Sequence, residues 1–311
     1  MTTIIGDIKS KYDEIIIGID PEIDNWLFMR SPFPVIGIVL VYLYFVLKLG
    51  PYLMESRKPY NMQKLLVFYN FYQVIFSTWL CLQAFNVENS ILEIFKFAVG
   101  IPIPNDRDLV HTAWRSSWWY FFSKLIELLD TVFFVLRKKQ NQISFLHVYH
   151  HSMTALGSWW YLKYLSGPQF LLIGFLNSFV HIVMYFYYML SAMGPKYQRF
   201  LWWKKYLTTL QLAQFCVMLF YLTIIAIMDS KLPRSHTFFF ITNVVIFLYL
   251  FGDFYRKEYN KKHYKDSSAT NKYNNSNSIA QLSQLKEMID QNEKKVYLQS
   301  MIVKNGNQKV L

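Results

Sequence analysis

The sequence predicts an all-α polytopic membrane protein built on seven transmembrane helices. Three observations carry that prediction. Of 311 residues, 53% are apolar and 19% aromatic, while only 17% are charged, a balance unlike that of an ordinary soluble domain. The apolar residues collect into runs of about 20, long enough to cross a hydrocarbon core of roughly 30 Å as helices. Lysines and arginines gather in alternate connecting loops, as the positive-inside rule requires of a chain that weaves through a bilayer.

Residues 1–30 interleave acids with short apolar pairs and hold no continuous apolar core. A cleavable signal peptide is therefore not expected, and insertion should begin at the first span. The segment 1–32 becomes a luminal N-terminal extension. Spans follow at 33–49, 65–85, 117–136, 145–164, 170–192, 206–228 and 237–255. The middle four carry polar residues that lower their hydropathy. Trp159, Trp160, Trp202 and Trp203 read as interfacial belt residues.

One set of loops holds Arg57, Lys58 and Lys64, then Arg137, Lys138 and Lys139, then Lys196, Arg199, Lys204 and Lys205, then the basic residues from Arg256. The alternate loops hold fewer: Lys96, Arg107 and Arg115, then Lys163 alone, then Lys231 and Arg234. The N-terminus is thus expected outside or in the lumen and the C-terminus in the cytosol. The membrane domain covers 33–257. In the tail, 258–311, "KDSSATNKYNNSNS" is polar and of low complexity, so disorder is expected there. Leu282, Leu285, Ile289 and Val296 mark a short helix over 280–302. Most of the net charge of +12 belongs to the cytosolic loops and tail. It suits anionic lipid or a phosphate-bearing ligand, and it makes no groove-reading motif for nucleic acid. Cys81 and Cys216 both fall inside spans, so no disulfide framework is expected.

Ionisable residues inside a bilayer are expensive and mark function by default. In the third span Lys124, Glu127 and Asp130 follow one another at i+3 steps on one helix face. In the fourth, His147, His150 and His151 fall at i, i+3 and i+4. In the fifth, Asn177 and His181 lie one turn apart, with Tyr185 and Tyr188 following. In the sixth, Thr208, Gln211 and Gln214 share a face. At a rise of about 1.5 Å per residue, Asp130, His150 and Gln211 lie roughly 8–10 Å in from the cytosolic ends of their spans, and His181 roughly 15 Å. Four neighbouring spans thus bring polar faces to one layer. Lipid-facing helices have no reason to do so, and a shared water-accessible chamber does.

The histidines admit three chemistries. A di-iron site needs about eight histidine ligands. This chain has seven in all, with four at the right depth, enough for one ion but too few for the pair. A receptor or transporter pocket would use buried polar residues, but it leaves the mixture of acids, bases and amides unexplained. Acyl chemistry fits that mixture, with imidazole as nucleophile or base, and Cys216 is turned away from the Gln211/Gln214 face.

"KLIELLDT", "LHVYHH", "NSFVHIVMYFYY" and "TTLQLAQF" follow one another on successive spans. In that order they resemble the motifs of the ELO family of very-long-chain fatty acid elongases. The resemblance implies seven helices, six forming an inverted barrel around an acyl tunnel. It implies decarboxylative condensation of malonyl-CoA with a long-chain acyl-CoA, giving a 3-oxoacyl-CoA, CO₂ and CoA. No cofactor or metal is implied beyond the two CoA co-substrates. On this reading His147, His150, His151 and His181 are catalytic, with an acyl-imidazole on His150, and direct condensation with a histidine base is the alternative. Lys124 and Asn177 would stabilise an oxyanion. Glu127, Asp130, Gln211, Gln214, Tyr185 and Tyr188 would support the site, and Arg137, Lys139, Lys204 and Lys205 would hold CoA phosphates. Residence in the endoplasmic reticulum membrane, a homodimer and association with the reductases and dehydratase of the cycle are implied as well. The chain ends "GNQKVL" without the dilysine-type signal common in the family.

Overall fold

The computed structural model describes residues 20–83, 85, 107–165, 171–228 and 234–260. The expectations for residues 1–19 and 261–311, including the disordered tail and the helix over 280–302, concern residues outside these, as do Lys96 and Lys231. Among the described residues all regular structure is helical. Seven long helices stand out: α1 Phe33–Met54, α2 Gln63–Gln83, α3 Arg107–Leu136, α4 Phe145–Tyr164, α5 Leu171–Ala192, α6 Lys204–Met228 and α7 Arg234–Tyr255. By length and composition α1, α2, α5, α6 and α7 are apolar enough to cross a membrane. The other two, α3 and α4, carry the acids and the histidine box.

Two helices run further than their apolar runs. α1 continues past Leu49 through Gly50 and Pro51 to Met54. Proline lacks an N–H and crowds the preceding turn. The backbone absorbs this as a π turn over Phe45–Leu49, with the Gly50 N–H donating to the Phe45 carbonyl. Glycine is required at this position, because a Cβ on residue 50 would stand 2.6 Å from Val135 Cγ1 of α3. α3 begins at Arg107 rather than at 117. No glycine or proline interrupts 107–136, so nothing ends the helix at Arg115.

α4 starts where expected, capped by Ser144, whose Oγ accepts the His147 N–H at 3.2 Å. That cap sets the register of the histidines. α2 lies along α5, α3 packs on α4, and α5 packs on α6. Tyr42, Val46, Leu128, Val135 and Val148 knit α1, α3 and α4 together. Leu66, Tyr69, Phe133 and Tyr185 do the same for α2, α3 and α5. Phe215, Met218, Leu222, Val244 and Phe247 join α6 to α7.

The segment before α1 is a strap. Asp20 caps the single turn Pro21–Asp24, and Ile23 and Met29 are fully buried against Phe121, Trp159 and Leu162. The Phe28 carbonyl accepts the indole N–H of Trp159 at 2.8 Å, and the Leu27 carbonyl that of Trp118 at 3.1 Å. Lys163 reaches Asp24 at 2.5 Å. Two sequence expectations change here. Trp159 is a buried core residue rather than a belt residue, because its N–H finds a protein acceptor in the strap. Trp160 and Trp202 are exposed. Lys163, read as a lone loop charge, is wholly buried. Among the described residues a second unit begins at Asp253, which pairs with Lys257 at 2.6 Å and Arg256 at 3.4 Å.

Candidate active site

α3 turns Tyr120, Ser123, Lys124 and Glu127 to one side, and α5 answers with Asn177 and His181. Lys124 Nζ donates to Glu127 Oε1 at 2.7 Å and to Asn177 Oδ1 at 2.7 Å. It also lies 4.6 Å from the centre of the Tyr120 ring. The Tyr120 hydroxyl donates to the same Asn177 oxygen at 2.9 Å. With Oδ1 so occupied, the amide nitrogen of Asn177 faces His181 Nε2 at 3.3 Å. An amide NH₂ only donates, so Nε2 is the bare nitrogen and Nδ1 carries the hydrogen. Nδ1 lies 3.2 Å from Glu127 Oε1, but its N–H is not aligned on that oxygen as a hydrogen bond. Ser123 Oγ reaches the same carboxylate oxygen at 3.4 Å. Lys124, Glu127, Asn177 and His181 are all buried.

One turn along, Asp130 Oδ2 accepts the Tyr185 hydroxyl at 2.8 Å. The Tyr69 ring of α2 meets Tyr185 edge to face, and Gln73 donates to the Tyr69 hydroxyl at 3.0 Å. Thr131 bonds Tyr42 of α1 at 2.8 Å.

On α4 the histidines are held by packing rather than by hydrogen bonds. His147 and His151 lie against each other with ring centres 4.3 Å apart and planes tilted by 53°, and His147 also meets Phe134. His150 packs against Phe247 at 5.0 Å and Phe251 at 5.9 Å. Among the described residues, four buried side-chain atoms lack a hydrogen-bond partner: Glu127 Oε2, His147 Nε2, His151 Nδ1 and His181 Nδ1. Native interiors leave few such atoms unpaired, and all four fall on residues of this site.

A cavity of about 140 Å³ opens beside Asn177 and His150. His150, Tyr120, Asn177 and Gln214 contribute to its wall. The remainder is chiefly apolar, from Leu80, Phe175, Met218, Leu222, Phe240 and Phe247. Among the described residues no group of three or more His, Cys, Asp or Glu side chains is placed to hold a metal ion.

The structure therefore bonds Lys124, Glu127, Asn177 and His181 into one cluster, pairs Asp130 with Tyr185, and puts His150 and Gln214 on the cavity. Gln211 turns to Met184 of α5, its amide 3.5 Å from Sδ. Tyr188 is 40% exposed and meets Tyr185 and Tyr187 edge to face. Arg137, Lys139, Lys204 and Lys205 lie at helix ends, the three lysines exposed. Sequence reasoning passed over Tyr120, Ser123, Tyr69 and Gln73. Tyr120 stands one turn before Lys124 on the same face, and Asn70, Gln73 and Ser77 repeat at helical spacing inside an apolar span. Those spacings were the available signal.

The chain matches the family model of ELO, the GNS1/SUR4 family, over residues 27–267. It is 43% identical over 256 residues to very long chain fatty acid elongase 7 of Drosophila melanogaster, covering 80% of this chain and 76% of that protein. The identity to very long chain fatty acid elongase 7 of Rattus norvegicus is also 43% over 256 residues, covering 80% and 89%. To very long chain fatty acid elongase 4 of Homo sapiens it is 40% over 245 residues, covering 77% and 76%.

Proposed function

The chain belongs to the ELO family of fatty acid elongation, and from that premise we propose that it is the condensing enzyme of the elongation cycle. Acyl-CoA and malonyl-CoA would give a 3-oxoacyl-CoA two carbons longer, with release of CO₂ and CoA. The observation that carries the reading is His150: of the histidines placed together here, it is the one in the wall of a largely apolar cavity.

In this reading the acyl chain occupies the cavity and the thioester lies beside His150. A ring nitrogen of His150 attacks the carbonyl carbon; the C–N bond forms as the C–S bond breaks, and CoA thiolate leaves with a proton. Malonyl-CoA then loses CO₂, the electrons of the broken C–C bond forming an enolate. The enolate attacks the acyl carbon, the C–N bond breaks, and imidazole is regenerated. Lys124 and the Asn177 amide stabilise the oxyanion of each addition. Glu127 and Asn177 hold His181 in one tautomer, and His147 or His151 relays protons. The two CoA substrates suffice, with no further cofactor.

The same reading sets all seven long helices across the endoplasmic reticulum membrane, six of them enclosing the acyl chain, with the N-terminus luminal and the C-terminus cytosolic. Arg137, Lys139, Lys204 and Lys205 would then meet CoA phosphates at the cytosolic face. A homodimer and association with the cycle's reductases and dehydratase complete the proposal. Incubation of the purified protein with acyl-CoA alone, followed by intact-mass measurement, tests the covalent step. An added acyl mass with stoichiometric CoA release, both lost in His150→Ala, is the expected result. With no adduct and no CoA release, condensation is direct and a histidine acts only as base.

A further inference from the structure

The helices that wall the cavity begin or end their contact with it at one polar level. Along α4 the first residue to line it is His150, and along α6 it is Gln214. α3 and α5 run the opposite way and last touch it at Tyr120 and at Asn177 and Ser178. α7 ties the level together. Phe247 lies 5.0 Å from the His150 ring and 5.8 Å from that of Phe215, and Phe251 lies 5.9 and 5.0 Å from the same two. Gln214, the chain neighbour of Phe215, therefore stands at the imidazole end of the cavity.

Polar groups elsewhere on the wall are engaged. The hydroxyls of Ser116, Thr154 and Ser158 donate to carbonyls of their own helices at 2.8, 2.8 and 3.1 Å. Asn243 accepts the Tyr149 hydroxyl at 3.2 Å and donates to the Phe239 carbonyl at 2.9 Å. Gln214 is different. It is 6% exposed, and among the described residues its one hydrogen-bond partner is the thioether of Met218, 3.7 Å from Nε2 on the same helix. Sulfur is a weak acceptor. A buried amide so poorly matched weakens the fold, and an apolar side chain of the same length would suit this wall better. Stability gives no reason for the glutamine; a ligand that brings a hydrogen-bond acceptor does.

We propose that Gln214 is a further catalytic residue, whose amide N–H receives the carbonyl oxygen of the acyl thioester beside His150. This rests on the acyl-transfer reading above. When a nucleophile adds to the acyl carbon, the electrons of the C=O bond pass to the oxygen, and a donor already in place there lowers the barrier. Gln214 keeps its own protons throughout. The oxygen regains its double bond as the leaving group departs. Asn177 offers its donor from α5 and Gln214 from α6, so the oxygen is held between two helices. The pantetheine amides of CoA are the other acceptors on the substrate. They lie on the CoA side of the thioester, away from the cavity that begins at His150.

The experiment uses the full chain purified in detergent and three readouts: kcat of condensation with malonyl-CoA, affinity for S-hexadecyl-CoA, and thermal denaturation. That thioether keeps the pantetheine amides and the long chain and lacks only the acyl oxygen. Gln214→Met preserves side-chain length and removes the amide. It should lower kcat by about 10²–10³-fold, bind the thioether within about twofold of wild type, and unfold at no lower a temperature. Gln214→Asn, whose amide is one methylene short, should fall between, about tenfold down in kcat. Phe220→Leu, at a side chain 69% exposed on the same helix, is the control and should match the wild type throughout. If Gln214→Met does not fold, Gln214→Asn decides by rate and thioether affinity. A kcat near the wild-type value overturns the proposal. So does a kcat loss matched by an equal loss of thioether affinity, which makes Gln214 a shaper of the wall or a partner of the pantetheine. Wild-type condensation in either case leaves the acyl-transfer reading standing. A wild-type protein that condenses no acyl-CoA overturns both.

Discussion

Lys124 on α3 and Lys163 on α4 are both almost wholly buried, and each meets a carboxylate: Glu127 at 2.7 Å and Asp24 at 2.5 Å. Their surroundings differ. Lys124 also donates to Asn177, lies over the Tyr120 ring, and shares its carboxylate with His181. Lys163 fastens the strap before α1 to the end of α4, amid Ile23, Trp159 and Leu162. A buried charge must be paired wherever it lies. What separates an orienting lysine from a fastening one is therefore its second and third partners, and whether those partners face a cavity.

The comparison is sharpest in Lys124→Met. Removing the ammonium takes away a donor aimed at the site and releases Asn177 from one of its two fixed contacts. Elongation should fall by about 10²–10³-fold, the loss expected when one oxyanion donor is deleted. The measurement is kcat on detergent-purified protein. Lys163→Met should leave kcat within about twofold, since it removes no group from the cavity side. A large kcat loss in Lys163→Met at normal stability would erase the distinction drawn between the two lysines.

Stability follows a different rule, how far the partner left behind is sealed from water, and the strap holds both cases in one pair. Asp24→Ala strands an ammonium that is fully buried, and breaking a buried pair in this way costs about 3–5 kcal/mol. Lys163→Met leaves behind Asp24, whose side chain is 27% exposed and can take up water, so about 1–2 kcal/mol is expected. Thermal denaturation in detergent should therefore rank wild type above Lys163→Met above Asp24→Ala. Equal losses would mean that both ends of the pair are equally sealed from water.

The two lysines also mark what was legible in the chain. Lys124, Glu127 and Asp130 stand at i+3 steps in an apolar run, a spacing that announces a polar face at membrane depth. Lys163 stands alone, and its partner lies 139 residues away in a segment without periodicity. Helix positions were readable because apolar runs of about 20 residues have few other uses. The extension of α1 was not, since a π turn that accommodates Pro51 leaves no mark on hydropathy. Trp159 was misjudged for a related reason: a tryptophan near a span end suits a belt or a core equally well, and only the Phe28 carbonyl decides. Tyr120 and Tyr69 are two of 23 tyrosines, and residue type alone could not single them out.

The smallest effect tests how the α3–α5 cluster holds together. Asn177 Oδ1 takes both Lys124 and Tyr120, and that double contact is what turns its NH₂ toward His181 Nε2. Tyr120→Phe removes one contact and leaves the charged one, which is the stronger of the two. The loss should be about 1 kcal/mol, or roughly fivefold in kcat, with little change in thermal stability. Lys124→Met with Tyr120→Phe should then cost more than the sum of the two, because only with both removed is the Asn177 amide free to rotate. Strict additivity in that double-mutant cycle would show that Lys124 and Tyr120 act separately and that the amide is fixed by something else.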